Sequence, residues 1–440
     1  MDSVIDLKKY QTHISGASLV RKTGRVNRVI GLIVEGDGPA VSVGSLCAIH
    51  SRKHKEPVDA QVVGFRDNRT LLMPMGDIIG IEPGSLIEAK EDSPTFNVTP
   101  ALLGRVIDGT GKPLDGKGPI PMGQNYPLMG TPMNPLDRER ITRPLDIGIR
   151  AVNGLLTIAK GQRVGILAGT GLGKSVLLGM IARNTEAEVN VIGLVGERGR
   201  EVKEFIEENL GPEGMRKSVV VAATSDQPPL VRLRGAFIAT TLAEYFRDQG
   251  KETLLMMDSV SRFALAQREI GLSVGEPPTT RGFTPSVFSL IPKLIERAGT
   301  AKGGGTITGL YTILVEGDDL NEPISDAMRA VLDGHIVLSR QLASHNHYPA
   351  IDILNSTSRL MIDVISKEHF NLVMKFKDIL ATYREAEDLI NIGAYARGSN
   401  PRIDLAIKKI DGFNQYLRQG IPEKASMADS IRLLKALVEN

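Results

Sequence analysis

The segment Ala168-Gly169-Thr170-Gly171-Leu172-Gly173-Lys174-Ser175 joins an apolar run, RVGIL, to a stretch of helical texture, SVLLGMIARN. Glycines at this spacing let a backbone turn tightly and aim its N–H groups inward, and a helix start adds positive dipole character. Such a cradle suits the phosphates of ATP. Gly169, Thr170, Gly171, Leu172, Gly173 and Val176 then supply the binding loop and its helical continuation. The Lys174 ammonium reaches the β- and γ-phosphates, and the Ser175 hydroxyl is a ligand for Mg²⁺. The motif G-x-x-x-x-G-K-[ST] has Ala168 in its first position, which requires a negative φ there. A glycine-rich strand-to-helix turn is the bland alternative, and the Lys-Ser pair with these flanks speaks against it.

Binding a nucleotide is not hydrolysing it. Hydrolysis also needs a group that orients water and positive charge for the transition state. The apolar run VIGLVG leads into Glu197-Arg198-Gly199-Arg200-Glu201, at the sheet end where phosphates would lie, so Glu197 is the candidate water-activating base. Arg200 and Glu201 read as solvated charges opening the helical stretch EVKEFIEENLG. A second run, LLMMD, ends in Asp258; a carboxylate at the end of a buried strand is where such an enzyme holds its Mg²⁺ shell.

These groups need a scaffold that brings strand ends together. QRVGILAG, EVNVIGLVGE, SVVVAATS, ETLLMMDS, TITGLYTILVEG and GHIVLSR are near-continuous apolar runs of strand length, several of them separated by helical stretches. That texture predicts an α/β core with a parallel sheet buried on both faces. Before it, short β-rich pieces punctuated by Gly, Asp, Asn and Pro predict an antiparallel β-barrel over 21–95. The Gly- and Pro-rich stretch from Gly104 to Arg143 reads as a connector. The nucleotide-binding core is expected over 96–365 and a helical domain over 366–440, where strand runs cease. Residues 1–20 form a short leading segment, with weak helical periodicity through Val4, Leu7 and Ile14.

Composition narrows the class. Lys and Arg number 53 against 51 Asp and Glu, so no global field draws the chain to nucleic acid or anionic lipid. The single cysteine, Cys47, leaves no internal disulfide and suits a reducing compartment. MDSVIDLKKY lacks an apolar core of the secretory kind, and no apolar run approaches the roughly 18 residues of a membrane span. A cytoplasmic protein with at most peripheral membrane contact is expected.

Taken together, AGTGLGKS, GERGREV, LLMMDSVSRFALAQREI, GEPPTTRGFTPSVFSLIPKLIERAG and HYPAIDILNSTSRLM resemble the catalytic subunits of hexameric rotary-type ATPases. Within that group the chain resembles most the flagellar protein-export ATPases, with the injectisome export ATPases close behind. The resemblance implies a RecA-like P-loop core between an N-terminal barrel and a C-terminal helical domain. It also implies a homohexamer docked beneath an export gate at the inner membrane. Cargo–chaperone complexes and a regulatory stator-like subunit are the implied partners, the latter through an N-terminal helix longer than the segment present here.

By matched position Glu197 corresponds to the family's catalytic glutamate, where noncatalytic subunits carry glutamine. Arg198 and Arg262 match arginines near the phosphates, Arg359 in STSRLM matches the finger that reaches a neighbour's nucleotide, and Tyr348 in HYPAID matches the aromatic that stacks on adenine. Three other readings compete, of which a nucleotide-binding scaffold without turnover is opposed by Glu197. A rotary-synthase catalytic subunit takes its finger from a different chain, whereas this sequence carries loop, glutamate and finger together. An RNA translocase would need aromatic platforms in the barrel, and residues 21–95 offer only Phe65. No nucleic-acid partner is expected.

Overall fold

The computed structural model describes residues 21–51, 56–315, 317 and 319–439, so the expected helix ahead of the barrel lies outside the described residues.

The barrel is closed by six antiparallel strands: Thr23–Ile30, Ile33–Asp37, Leu46–His50, Val58–Arg66, Arg69–Pro74 and Leu86–Glu91. Their inward positions, among them Val26, Val34, Cys47, Ile49, Val62, Leu72 and Ile87, form a small apolar core. At one tight turn Asp67 and Asn68 both take positive φ, 48° and 62°, the twist a two-residue hairpin needs and short polar residues tolerate. Buried Glu35 accepts hydrogen bonds from Arg28 at 2.6 and 3.1 Å, which hold its carboxyl below the usual range and tie the first two strands together.

The core carries a nine-stranded sheet, parallel except at two strands, in which all six apolar runs appear as strands. Its centre is Arg163–Ala168, Thr306–Leu314, Glu252–Asp258 and Val189–Val195, neighbours in that order. Buried on both faces, these strands are mostly apolar and not alternating, which is what made them legible.

The two edges differ from expectation. Val106–Asp108, inside the supposed connector, pairs in parallel with Val220–Ala222. Ile351–Ser358 is a further strand, antiparallel to Gly334–Leu338 and outside the six apolar runs. A three-residue strand is too short for periodicity, and an edge strand with exposed Leu354, Asn355 and Thr357 lacks the apolar run of a central one.

Helices Lys367–Asn391, Pro401–Leu417 and Met427–Glu439 follow. In the first, His369, Leu372, Val373, Phe376 and Leu380 are buried at spacings of one, three and four residues, one face of a helix. Phe376 stacks on Phe413 with ring centroids 3.9 Å apart, and both belong to the same hydrophobic cluster as the helix behind the glycine loop. Among the described residues no helix is long and apolar enough to cross a membrane.

Candidate active site

Strand ends supply the site, as expected at the carboxyl edge of an open parallel sheet. Ala168 closes the Arg163–Ala168 strand in extended backbone, so alanine meets the motif's first position without strain. Gly171 and Gly173 turn the chain at φ 78° and 80°, where a side chain is disfavoured, and Lys174 opens the helix Lys174–Asn184. Thr170, Gly171 and Ser175 are exposed to the cavity that the loop encloses, about 690 Å³ in volume.

Two strands away, Asp258 ends its strand almost wholly buried and accepts a hydrogen bond from Lys174 Nζ. The strand between them contributes Thr312, whose hydroxyl donates to Asp258 Oδ1 at 2.7 Å. Leu194 lies across from Asp258 in register, so the chain leaving that strand brings Glu197 in beside it. Lys174 Nζ is 3.5 Å from Glu197 Oε1. Gly196, at φ 73°, is required at this bend: a Cβ there would fall 2.7 Å from Arg262 Cβ. Arg198 and Arg262 line the same cavity, Arg198 largely exposed and 3.4 Å from Glu201.

Charge and burial oppose one another here. Burial works against the Lys174 ammonium, but Asp258 and Glu197 more than offset it, and the group is held above its ordinary value. Burial also pushes the Glu197 carboxyl up to about 7, against the pull of Lys174, with Asp258 and Glu201 adding to the rise. Glu201 is hydrogen-bonded to Glu197, and that bond holds it below the usual range. A carboxyl poised near neutrality can take a proton from water and release it again, the property wanted of a general base.

Tyr348 flanks the other side of the loop. A Cβ built on Gly173 would lie 3.6 Å from its ring, and a separate apolar cavity of about 350 Å³ opens between that ring, Val176 and Met180. Arg359 is the one candidate not brought to the loop. It lies exposed beside Asp333, its backbone N–H donating to Asp333 O at 2.9 Å and its guanidinium to Leu332 O at 3.2 Å.

Among the described residues no group of three or more His, Cys, Asp or Glu side chains is arranged to hold a metal by itself. Ser175 with one buried carboxylate, Asp258, nevertheless fits Mg²⁺, which takes one or two protein oxygens and completes its shell with phosphate and water.

Four residues escaped sequence reasoning. Glu201, expected to be a solvated charge, pairs with Glu197 because a helix starting at Gly199 turns it back toward the strand end. Thr312 is one of three threonines in an otherwise apolar run, and its only signal was a threonine where valine would pack. Gln419 and Ile421, far along the chain, line the apolar cavity beside Tyr348.

Residues 148–358 match the nucleotide-binding domain of the ATP synthase alpha/beta family, and residues 26–90 match its beta-barrel domain. Residues 365–436 match the T3SS EscN ATPase C-terminal domain. The flagellum-specific ATP synthase of Bacillus subtilis is 52% identical over 422 residues, 96% of each chain. The type 3 secretion system ATPase of Xanthomonas euvesicatoria is 44% identical over 420 residues, 96% of this chain and 95% of its own. The solved structure of the assembled ATPase EscN from the type III secretion system of enteropathogenic E. coli superposes with a TM-score of 0.89 at 43% identity. It covers 94% of this chain and 100% of its own.

Proposed function

The chain belongs to the ATP synthase alpha/beta family, among the flagellum-specific ATP synthases and type 3 secretion ATPases, and from that premise we propose that it hydrolyses ATP with Mg²⁺ to drive export of flagellar proteins, at sites completed by a neighbouring copy. The observation that carries this reading is the convergence of Lys174 and Glu197 on one glycine-lined cavity, with buried Asp258 bonded to Lys174. Loop N–H groups and Lys174 bind the β- and γ-phosphates, so the Lys174–Asp258 contact yields to substrate. Ser175 and Asp258 would hold Mg²⁺, which would supply positive charge to the phosphates. Glu197 orients the attacking water and accepts its proton, while Arg198 gives further positive charge at the cavity wall. Tyr348 stacks on the base. Arg359 serves the nucleotide of the adjacent subunit.

The assembly is a homohexamer, a reading supported by the assembled form in which EscN was solved, and by another EscN structure in complex with its central stalk EscO. The corresponding partners here are a stalk or stator-like regulatory subunit, an export gate and cargo–chaperone complexes, with the ring cytoplasmic and peripheral to the inner membrane. Flagellar duty is preferred to injectisome duty because identity reaches 52% with a flagellum-specific relative and 44% with a type 3 secretion relative. Deleting the gene should abolish motility and remove flagellar proteins from the medium. A motile deletion strain that loses other secreted proteins would assign the chain to an injectisome.

A further inference from the structure

Arg359 hangs on carbonyl groups. Its N–H donates to Asp333 O at 2.9 Å, its guanidinium meets Leu332 O at 3.2 Å and Arg329 O at 3.5 Å, and the side chain is otherwise exposed. A guanidinium that must meet a neighbour's phosphates depends on how firmly Asp333 and the preceding Ser358 are held. Misplacing such a group by about 1 Å can cost about 10²-fold in rate.

Behind these residues lies Gln162, fully buried. Its Nε2 donates to Asp333 O at 3.1 Å and to Ser358 Oγ at 3.2 Å, so one amide ties together the chain segments that meet at Arg359. Its Oε1 accepts from Ala159 N–H at 2.8 Å, and the Ser358 hydroxyl donates to Thr157 O at 2.8 Å. Asp333 is fixed a second time, its carboxylate accepting from Arg163 N–H at 3.0 Å and from the Arg163 guanidinium at 3.1 and 3.2 Å. A buried amide gains nothing in packing over an apolar side chain of like size, and all its groups must be paired. What the Gln162 amide supplies is a fixed relation between Asp333 and Ser358.

We propose that Gln162 is a positioning residue for Arg359, fixing the finger that serves the adjacent subunit's nucleotide; this rests on the trans role given to Arg359 above. Gln162 also directly precedes the strand Arg163–Ala168, which ends in the subunit's own glycine loop. It therefore stands between two sites, and its loss should be felt at the neighbour's and not at its own.

Gln162→Met keeps a side chain of similar length and removes the amide; Ser358→Ala removes the hydroxyl and leaves the Gln162–Asp333 bond. Both variants should form rings and bind ATP as the parent does. Their kcat should fall, by about 10-fold or more in Gln162→Met and by less in Ser358→Ala. Mixing with inactive partners locates the fault. With Lys174→Ala, which brings a sound finger, Gln162→Met should gain activity over the sum of its parts. With Arg359→Ala it should gain nothing, because every finger in the ring is then defective. Recovery with Arg359→Ala and not with Lys174→Ala would put the fault in the variant's own glycine loop and overturn the inference. Parental kcat in both variants, or recovery with neither partner, would overturn it as well. Lys174→Ala mixed with Arg359→Ala is the control. No recovery there overturns the shared site itself, whereas recovery there with the reversed pattern for Gln162→Met overturns only the role of Gln162.

Discussion

Lys174 and Arg359 stand at opposite ends of the same parallel sheet. Lys174 follows Ala168, which lies across from Leu338 in register, while Arg359 is bonded to Asp333, whose N–H donates to Arg163 O at the other end of that strand pair. A strand of this length spans about 15 Å, more than one arginine side chain bridges. Within its own subunit, therefore, the Arg359 guanidinium is out of reach of phosphates that Lys174 would hold, and it is exposed at the surface.

Glu197→Gln keeps the loop, Lys174 and Asp258, so ATP binding should persist. Turnover should fall by about 10²-fold or more, since the amide cannot accept the proton of water. Phosphate release measured at saturating ATP checks this, and a variant retaining more than about a tenth of parental activity would remove Glu197 from the role of base.

The Glu197 carboxyl, held near 7, sets a direction for pH. As base it must be ionised, so kcat/KM should rise with pH through about 7 and then level. Stability runs the other way. A carboxyl whose folded value is raised is tolerated below its unfolded value of 4.5, and its contribution is lost as pH climbs through about 7, when a buried negative charge forms beside Asp258 and Glu201. Glu197→Gln should then melt higher than the parent at pH 8, by about 1–2 kcal/mol, and nearly level with it at pH 4.5. Equal melting differences at both pH values would contradict the burial account.

Thr312→Val preserves the shape of a β-branched side chain inside the sheet and removes the hydroxyl that donates to Asp258. An acid that is already buried then loses a donor, a cost of about 1–3 kcal/mol in unfolding free energy. ATPase activity should require more Mg²⁺ for half-saturation, because Asp258 is less firmly oriented. A variant of parental stability and Mg²⁺ dependence would show that Thr312 is merely packed.

Legibility followed local chemistry. The loop from Gly169 to Ser175, the strand ending in Asp258 and the strand leading to Glu197 each announce themselves within a few residues, since motif and apolar run are local features. Glu201 required knowing that the helix begins at Gly199 and not two residues later. Gln419 and Ile421 required knowing that the segment after Leu417 returns to the Tyr348 loop through the Gln419–Tyr348 backbone hydrogen bond, which no sequence period records. The edge strands Val106–Asp108 and Ile351–Ser358 were missed for a related reason: pairing on one side leaves little hydrophobic pattern to read.

The central claim is a site shared between copies, and mixing two inactive variants tests it directly. Lys174→Ala loses the phosphate grip and keeps the finger; Arg359→Ala loses the finger and keeps the loop, with little harm to the fold because Arg359 is exposed. In rings assembled from equal amounts, about a quarter of interfaces pair a sound loop with a sound finger, by random pairing of two populations around a ring. ATPase rate plotted against mixing ratio should therefore show a maximum near equal proportions, from two proteins each inactive alone. A flat line at zero across every ratio, with mixed rings verified, would contradict a site completed by the neighbouring subunit.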